Sequence, residues 1–346
     1  MQERILVIRL GALGDLVLCF QAFQAIRKAH PQAEIALLTM PAFAGFARLM
    51  PWFDKVLVDP RAPGWRIDAW IKLARQVRAF APTRVYDLQG KFRQTVLFRL
   101  LGGSRGPEWS GAASGCSHPR LWPPQPGMHY TDFVAVQLER AGILTCVIPA
   151  KAGIQQRASA SCMTHTSHRH ATLDSRFRGN DNCELGETAL NLSWLDAPLD
   201  EFPLPKKFAL LIPGCAPERS YKRWPATHYA ELANRLLEQG IGSVAIGTAS
   251  DAYAIQEIAV LAPHVVDLSG KTTLPQVAAL ARRAEVVIGN DTGPTHLAAA
   301  VGARTLALMS DQVDPMWSSP RGPNIKWLQG KPLASLDVEK VLAALS

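Results

Sequence analysis

Two segments of this chain share one pattern, an apolar strand running through a glycine-bearing turn into a helix. Together they restrict the fold to layered α/β architectures. The more demanding of the two covers residues 286–302, VVIGNDTGPTHLAAAVG. It predicts a buried strand over 286–288, a polar turn over 289–294 and a small-residue helix running on through residue 300. Pro294 suits the first turn of that helix because it has no N–H to leave unpaired. A helix N-terminus carries unpaired N–H donors and a partial positive charge, so it can seat a phosphate. Gly293 would let the backbone approach such a ligand, with Asp291, Thr292 and His296 adding side-chain hydrogen bonds. A capped turn with a core-facing histidine would produce the same residues.

The second unit opens the chain. Residues 5–8 predict a strand, followed by Arg9-Leu10-Gly11-Ala12-Leu13-Gly14-Asp15 and a helix over 16–29. The dinucleotide fingerprint is absent, since only Gly11 and Gly14 are present, and a dehydrogenase is therefore disfavoured. Asp15 stands beyond the carboxyl end of a strand, where open α/β sheets collect ligands. It is equally a good helix cap. Further strands are predicted over 34–38, 55–58 and 84–87, with a helix over 69–80. Residues 99–120 read as a strand-poor surface loop. Lys91 and Arg93, just after a strand end, are candidates for binding an anionic acceptor.

The other half repeats the alternation, with strands over 208–212, 243–246, 264–268 and 305–308 and a helix over 274–283. Lys222 lies in the loop between the strand at 208–212 and the following helix. Gly247 and Asp251 follow another strand end, where the acid can take a ribose hydroxyl or cap a helix. The pattern divides the chain into a first α/β domain (1–198), a Pro-rich linker (199–207), a second α/β domain (208–335) and a final helix (336–346) that could cross back onto the first domain.

One stretch breaks this order. Residues 147–155, VIPAKAGIQ, and 173–181, LDSRFRGND, can be encoded by a single DNA segment and its reverse complement. The region 145–187 therefore resembles a palindromic repeat translated in frame. Its polar composition predicts a disordered surface excursion. The Cys162, His165, His168 and His170 cluster inside it mimics metal ligands without zinc-finger spacing.

Composition narrows the partners. A formal charge of +8 suggests an anionic ligand or surface. Nucleic acid is not expected, since charge alone would support it. No apolar run reaches the length of a membrane span. The six cysteines, without CxxC pairing, suit reduced thiols.

Three motifs then carry a resemblance: Leu13-Gly14-Asp15-Leu16-Val17, Lys222-Arg223-Trp224-Pro225 and Gly289-Asn290-Asp291-Thr292-Gly293-Pro294-Thr295-His296-Leu297. In this order the chain resembles glycosyltransferase family 9, the ADP-heptose:lipopolysaccharide heptosyltransferases. The resemblance implies a GT-B fold of two doubly wound domains facing across a cleft, with acceptor on the first and ADP-sugar on the second. It implies Asp15 as general base, Lys222 at the donor phosphates and Asp291 at the donor sugar. Thr292 and Gly293 then form the diphosphate cradle, flanked by Pro294 and His296. It implies ADP-heptose as substrate, no cofactor or metal, an anionic lipopolysaccharide precursor as acceptor, and work at the cytoplasmic face of the inner membrane. Transfer of another nucleotide sugar, or a decayed binding module, would share the motifs. Two positions depart from the family pattern: Gln21 stands where proline is usual, and Cys215 where a hydroxyl residue is common.

Overall fold

The computed structural model describes residues 2–143 and 190–345. The repeat-like region 145–187 and its Cys/His cluster lie outside them. In chain order the first domain contains β1 (Arg4–Ile8), α1 (Leu13–Val17), α2 (Phe20–Ala29), β2 (Glu34–Thr39), α3 (Pro41–Ala47), β3 (Lys55–Val58), α4 (Ile67–Phe80), β4 (Arg84–Asp87), α5 (Phe92–Leu100), β5 (Glu108–Gly111), β6 (His118–Pro119) and α6 (Tyr130–Arg140). The second contains β7 (Phe208–Ile212), α7 (Ala226–Glu238), β8 (Gly242–Ala245), α8 (Ala252–Leu261), β9 (Val266–Asp267), α9 (Leu274–Arg283), β10 (Val286–Asn290), α10 (Gly293–Ala300), β11 (Thr305–Ser310), α11 (Pro315–Ser318), β12 (Ile325–Gly330) and α12 (Val338–Leu345).

Among the described residues each domain holds one six-stranded sheet, ordered β3-β2-β1-β4-β5-β6 and β12-β11-β10-β7-β8-β9. The pairings are parallel throughout. Parallel strands flanked by helices are buried on both faces, which is why FALLI of β7 and TLALMS of β11 are apolar almost without interruption. In both sheets the chain winds outward in one direction, then returns to the first strand's other side. The resulting switch points lie between β1 and β4 and between β7 and β10. At such points the outgoing loops part and leave a crevice beyond the carboxyl ends.

The structure differs from expectation in several places. The first helix is two helices, α1 and α2, parted at Leu18–Cys19. Residues 99–120 are not a plain surface loop: they contribute β5 and β6, and Trp109 is fully buried with its ring edge-on to Phe98 at 5.3 Å. Glycines and prolines around short strands hid them. The last helix does not cross back onto the first domain. Leu336, Val338 and Val341 belong to the apolar cluster with Tyr229, Leu232 and Leu236 of α7, and Arg235 pairs with Glu339 at 2.6 Å. An amphipathic segment that follows β12 directly finds its nearest uncovered apolar face in its own domain.

What joins the domains lies elsewhere. A single apolar cluster runs from Ile5 and Val7 through α1 and α2 to Leu210, Ile212 and Leu297. Trp194 packs on Phe20, Phe46 and Trp52 of the first domain. Arg282 of α9 holds the Leu192 and Leu195 carbonyls.

Candidate active site

The second domain's cluster is built from the end of β10 outward. Asn290, the last residue of that strand, is fully buried. Its amide donates to Pro213 O at 2.7 Å, while its Oδ1 accepts from Trp224 N and from the Tyr229 hydroxyl. The 213–224 loop is thereby pinned across the switch point. Trp224 anchors it further: it is fully buried, donates to Leu336 O at 2.7 Å and packs edge-on against Tyr229.

This anchoring delivers Lys222 to Asp291, with Nζ 2.6 Å from Oδ2. The other carboxylate oxygen meets His296 Nε2 at 3.1 Å. Burial pushes the Asp291 carboxyl up, but His296 and Lys222 outweigh it and hold the group below its ordinary value. Thr292 stands at the N-cap of α10, with Gly293 and Pro294 opening the helix. The helix start therefore presents a cation, an imidazole and unpaired backbone donors together.

The first domain supplies Asp15 from α1. Its Oδ2 accepts from Ala12 N at 3.0 Å, so it does serve as a cap. Its Oδ1 faces Arg9 Nη2 at 3.2 Å, and the side chain remains 44% exposed. Two oxygens carry about four lone-pair sites, so the carboxylate keeps acceptor capacity for a ligand.

α1 and α10 bring the two halves into contact, and the glycines make that contact possible. A Cβ at Gly14 would come within 3.1 Å of the His296 ring, and one at Gly293 within 2.5 Å of Leu13 Cβ. Gly293 thus opens space for the opposite domain, where the sequence suggested space for a ligand. Gly11, at φ +129°, is closed in by the Phe43 ring.

Other expected site residues are placed differently. Arg93 is not free for an acceptor. Both its ends are bound to Asp59 at 2.6 Å, its Nη1 donates to Ala62 O, and it lies over the Trp70 ring. A buried carboxylate after β3 needs a cation, and no local pattern marks which one. Lys91 is exposed at the start of α5. Asp251 is folded inward under Gly214 and Gly247, and its Oδ2 accepts from Thr248 N and Oγ1. Of its two possible roles, cap and ribose ligand, these bonds show the cap. Gln21 lies exposed on α2, and Cys215 is buried with its thiol directed to Arg219 O.

Three further residues define the site. Arg9 and Tyr130 back Asp15, and Asn290 sets the lysine loop. The only sequence signals were an arginine ending an apolar strand and an asparagine ending another.

Residues 151–334 match the family model for glycosyltransferase family 9 (heptosyltransferase). Across 337 residues the chain is 32% identical to lipooligosaccharide heptosyltransferase 2 of Haemophilus ducreyi, covering 92% of this chain and 86% of that one. The chain belongs to glycosyltransferase family 9. A second relative, lipooligosaccharide heptosyltransferase 2 of Haemophilus influenzae, matches locally: 36% identity over 104 residues, 29% of this chain and 30% of that one. The solved E. coli ADP-heptose lps heptosyltransferase II superposes with a TM-score of 0.70 at 19% identity, covering 100% of this chain and 98% of that one. The family-9 fold is the GT-B arrangement described above.

Proposed function

We propose that this chain transfers heptose from ADP-heptose to a hydroxyl of an anionic inner-core lipopolysaccharide precursor, with inversion and without a metal. The observation that carries the reading is the contact of α1, which carries Asp15, with α10, which carries His296 beside Asp291 and Lys222. The two groups sit at the two switch points, one domain each. The ADP-heptose named for the E. coli structure fits the second domain's cationic helix start.

In this reading the Asp15 carboxylate takes the proton of the acceptor hydroxyl as its oxygen bonds to the anomeric carbon. The bond from that carbon to the diphosphate breaks on the opposite face, and ADP departs. Lys222 and the α10 N–H groups stabilise the charge that develops on the diphosphate. Asp291 holds Lys222 and His296 in register, and the family resemblance implies that it also contacts the donor sugar.

The same reading places the chain at a membrane surface. Among the described residues no helix is long and apolar enough to cross a membrane. Trp65, Phe92 and Trp122 are 75%, 81% and 68% exposed on the first domain. They stand beside Arg66, Lys91 and Arg120, a pairing suited to the anionic cytoplasmic leaflet.

Asp15→Asn tests the chemistry. Removing a general base costs about a hundred- to ten-thousand-fold in rate, so turnover should collapse while ADP affinity, measured by calorimetry, stays at the wild-type value. Near-normal turnover would leave Asp15 as a cap and end the assignment.

A further inference from the structure

Behind Asp15 runs a line of contacts that reaches the opposite domain. Arg9 is 4% exposed at the carboxyl end of β1. Its Nη1 donates to Leu88 O and to the Tyr130 hydroxyl, each at 2.6 Å, and its Nη2 faces Asp15 at 3.2 Å. The Tyr130 hydroxyl gives its own proton to Leu88 O at 2.8 Å, which leaves a lone pair for Arg9. The guanidinium also lies 4.8 Å from the Tyr130 ring centre. Arg9 Nε has no partner among the described residues, so its orientation depends on the hydroxyl, the carbonyl and the carboxylate.

Tyr130 opens α6, and the first turn of α6 is where the second domain docks. Trp317 of α11 packs edge-on against Tyr130 at 5.7 Å and at a tilt against Phe133 at 5.6 Å. His129 Nδ1 accepts from Thr131 N, so its proton is on Nε2, which donates to Ser319 O at 2.9 Å. Arg321 pairs with Asp132 at 3.3 Å. Thus four residues of one helical turn are held by residues 317–321 of the other domain.

We infer that Arg9 is the positioning residue for the Asp15 carboxylate, and that docking of the 317–321 segment on α6 sets Arg9 through Tyr130. The inference rests on the reading of Asp15 as the base. When the domains meet, Trp317 fixes the Tyr130 ring, the phenol fixes the guanidinium fork, and the fork orients the carboxylate toward the cleft. When they part, Tyr130 loses its cover and the base loses its support. Proton removal is thereby tied to the arrival of the donor domain. The charged and titratable groups facing this line are Cys19, whose Sγ is 3.9 Å from the phenol, Asp87 behind Arg9, and His296 across Gly14. None of them is altered in the variants below.

The test compares Trp317→Ala, Trp317→Phe, Arg9→Met, Arg9→Lys and Asp15→Asn in the full chain. It measures kcat and KM separately, together with calorimetric ADP affinity. Trp317→Ala should lower kcat by up to about a hundredfold, the cost of a 1 Å misplacement arising away from the chemistry, with ADP affinity unchanged, and Trp317→Phe should recover most of it. Arg9→Met should lower kcat by up to about a hundredfold, the cost of a 1 Å misplacement of a reacting group, with ADP affinity unchanged. Arg9→Lys should recover only part of it, because an ammonium cannot hold the hydroxyl, the carbonyl and the carboxylate in one planar fork. If removal of the buried cation prevents folding, Tyr130→Phe examines the same link by deleting one hydroxyl, and a several-fold loss of kcat is expected. Wild-type kcat in Trp317→Ala and Tyr130→Phe, with turnover abolished in Asp15→Asn, would overturn the coupling alone. Persistent turnover in Asp15→Asn would remove the base, and the coupling with it.

Discussion

Gly293→Ala separates two reasons for a glycine at the start of α10. If the residue leaves room for a ligand, the added methyl should weaken ADP binding and spare stability. The structure gives the opposite expectation. An added Cβ would lie 2.5 Å from Leu13 Cβ, 2.7 Å from its Cγ and 2.8 Å from its Cδ2. Because Leu13 Cβ is fixed to the α1 backbone, a rotamer change cannot relieve the closest contact, and α1 or α10 must move. Overpacking of this kind costs about 1–3 kcal/mol. Alanine's better helix propensity returns at most about 1 kcal/mol. The net expectation is a loss of about 1–2 kcal/mol.

Leu13→Gly removes a partly buried side chain, Cβ included, and should itself cost about 2–3 kcal/mol in lost burial and helix propensity. It clears the 2.5 Å contact, so the double variant should be no less stable than Leu13→Gly. That gives a favourable coupling of about 1–2 kcal/mol in a double-mutant cycle. Urea denaturation of all four proteins, with ADP calorimetry on each, supplies the readout. Additivity within about 0.3 kcal/mol, or an ADP defect in Gly293→Ala that Leu13→Gly does not relieve, would refute the packing argument.

Other consequences follow from named contacts. Lys222→Ala should weaken ADP binding and slow transfer, with the wild-type advantage shrinking as salt rises; calorimetry at two ionic strengths checks this. Burial, followed by the charges of Arg321 and His296, pushes His129 down to about 3. Between that value and the ordinary 6.5 the unfolded chain binds the extra proton, so stability falls as pH drops through this window, by about 2 kcal/mol at pH 5. His129→Asn should flatten that part of the profile in thermal melts. Asp87 has the opposite sign. Burial raises it to about 6, against backbone donation from Gly90 and the nearby Arg120 charge. The folded state therefore holds the extra proton, and stability is lost as pH rises from 3.8 through about 6, on the order of 3 kcal/mol in all. Melts of Asp87→Asn should lack this decline.

Local apolar patterning is enough to settle the architecture and to bring the core of the candidate site into view. Uninterrupted apolar runs such as FALLI, separated by helical periods, leave little choice beyond parallel sheets covered on both faces. The placement of Asp15, Lys222 and Asp291 at strand ends was legible for the same reason, since a turn after a buried strand is local and its residues are adjacent in sequence. The short strands β5 and β6 were not, because their apolar signal is brief and Trp109 is buried by Phe98 from another element. Tertiary structure alone decided which polar groups are spoken for. Arg93 looked free and is bound to Asp59, 34 residues away. Arg9 looked like an interruption in an apolar run and is joined to Tyr130, 121 residues away. The closing helix turned to α7 because exposed apolar area is covered by whatever face lies nearest in space. A residue's type states what it can bond to; which partner it meets is set by the packing of distant segments, and no local pattern records that.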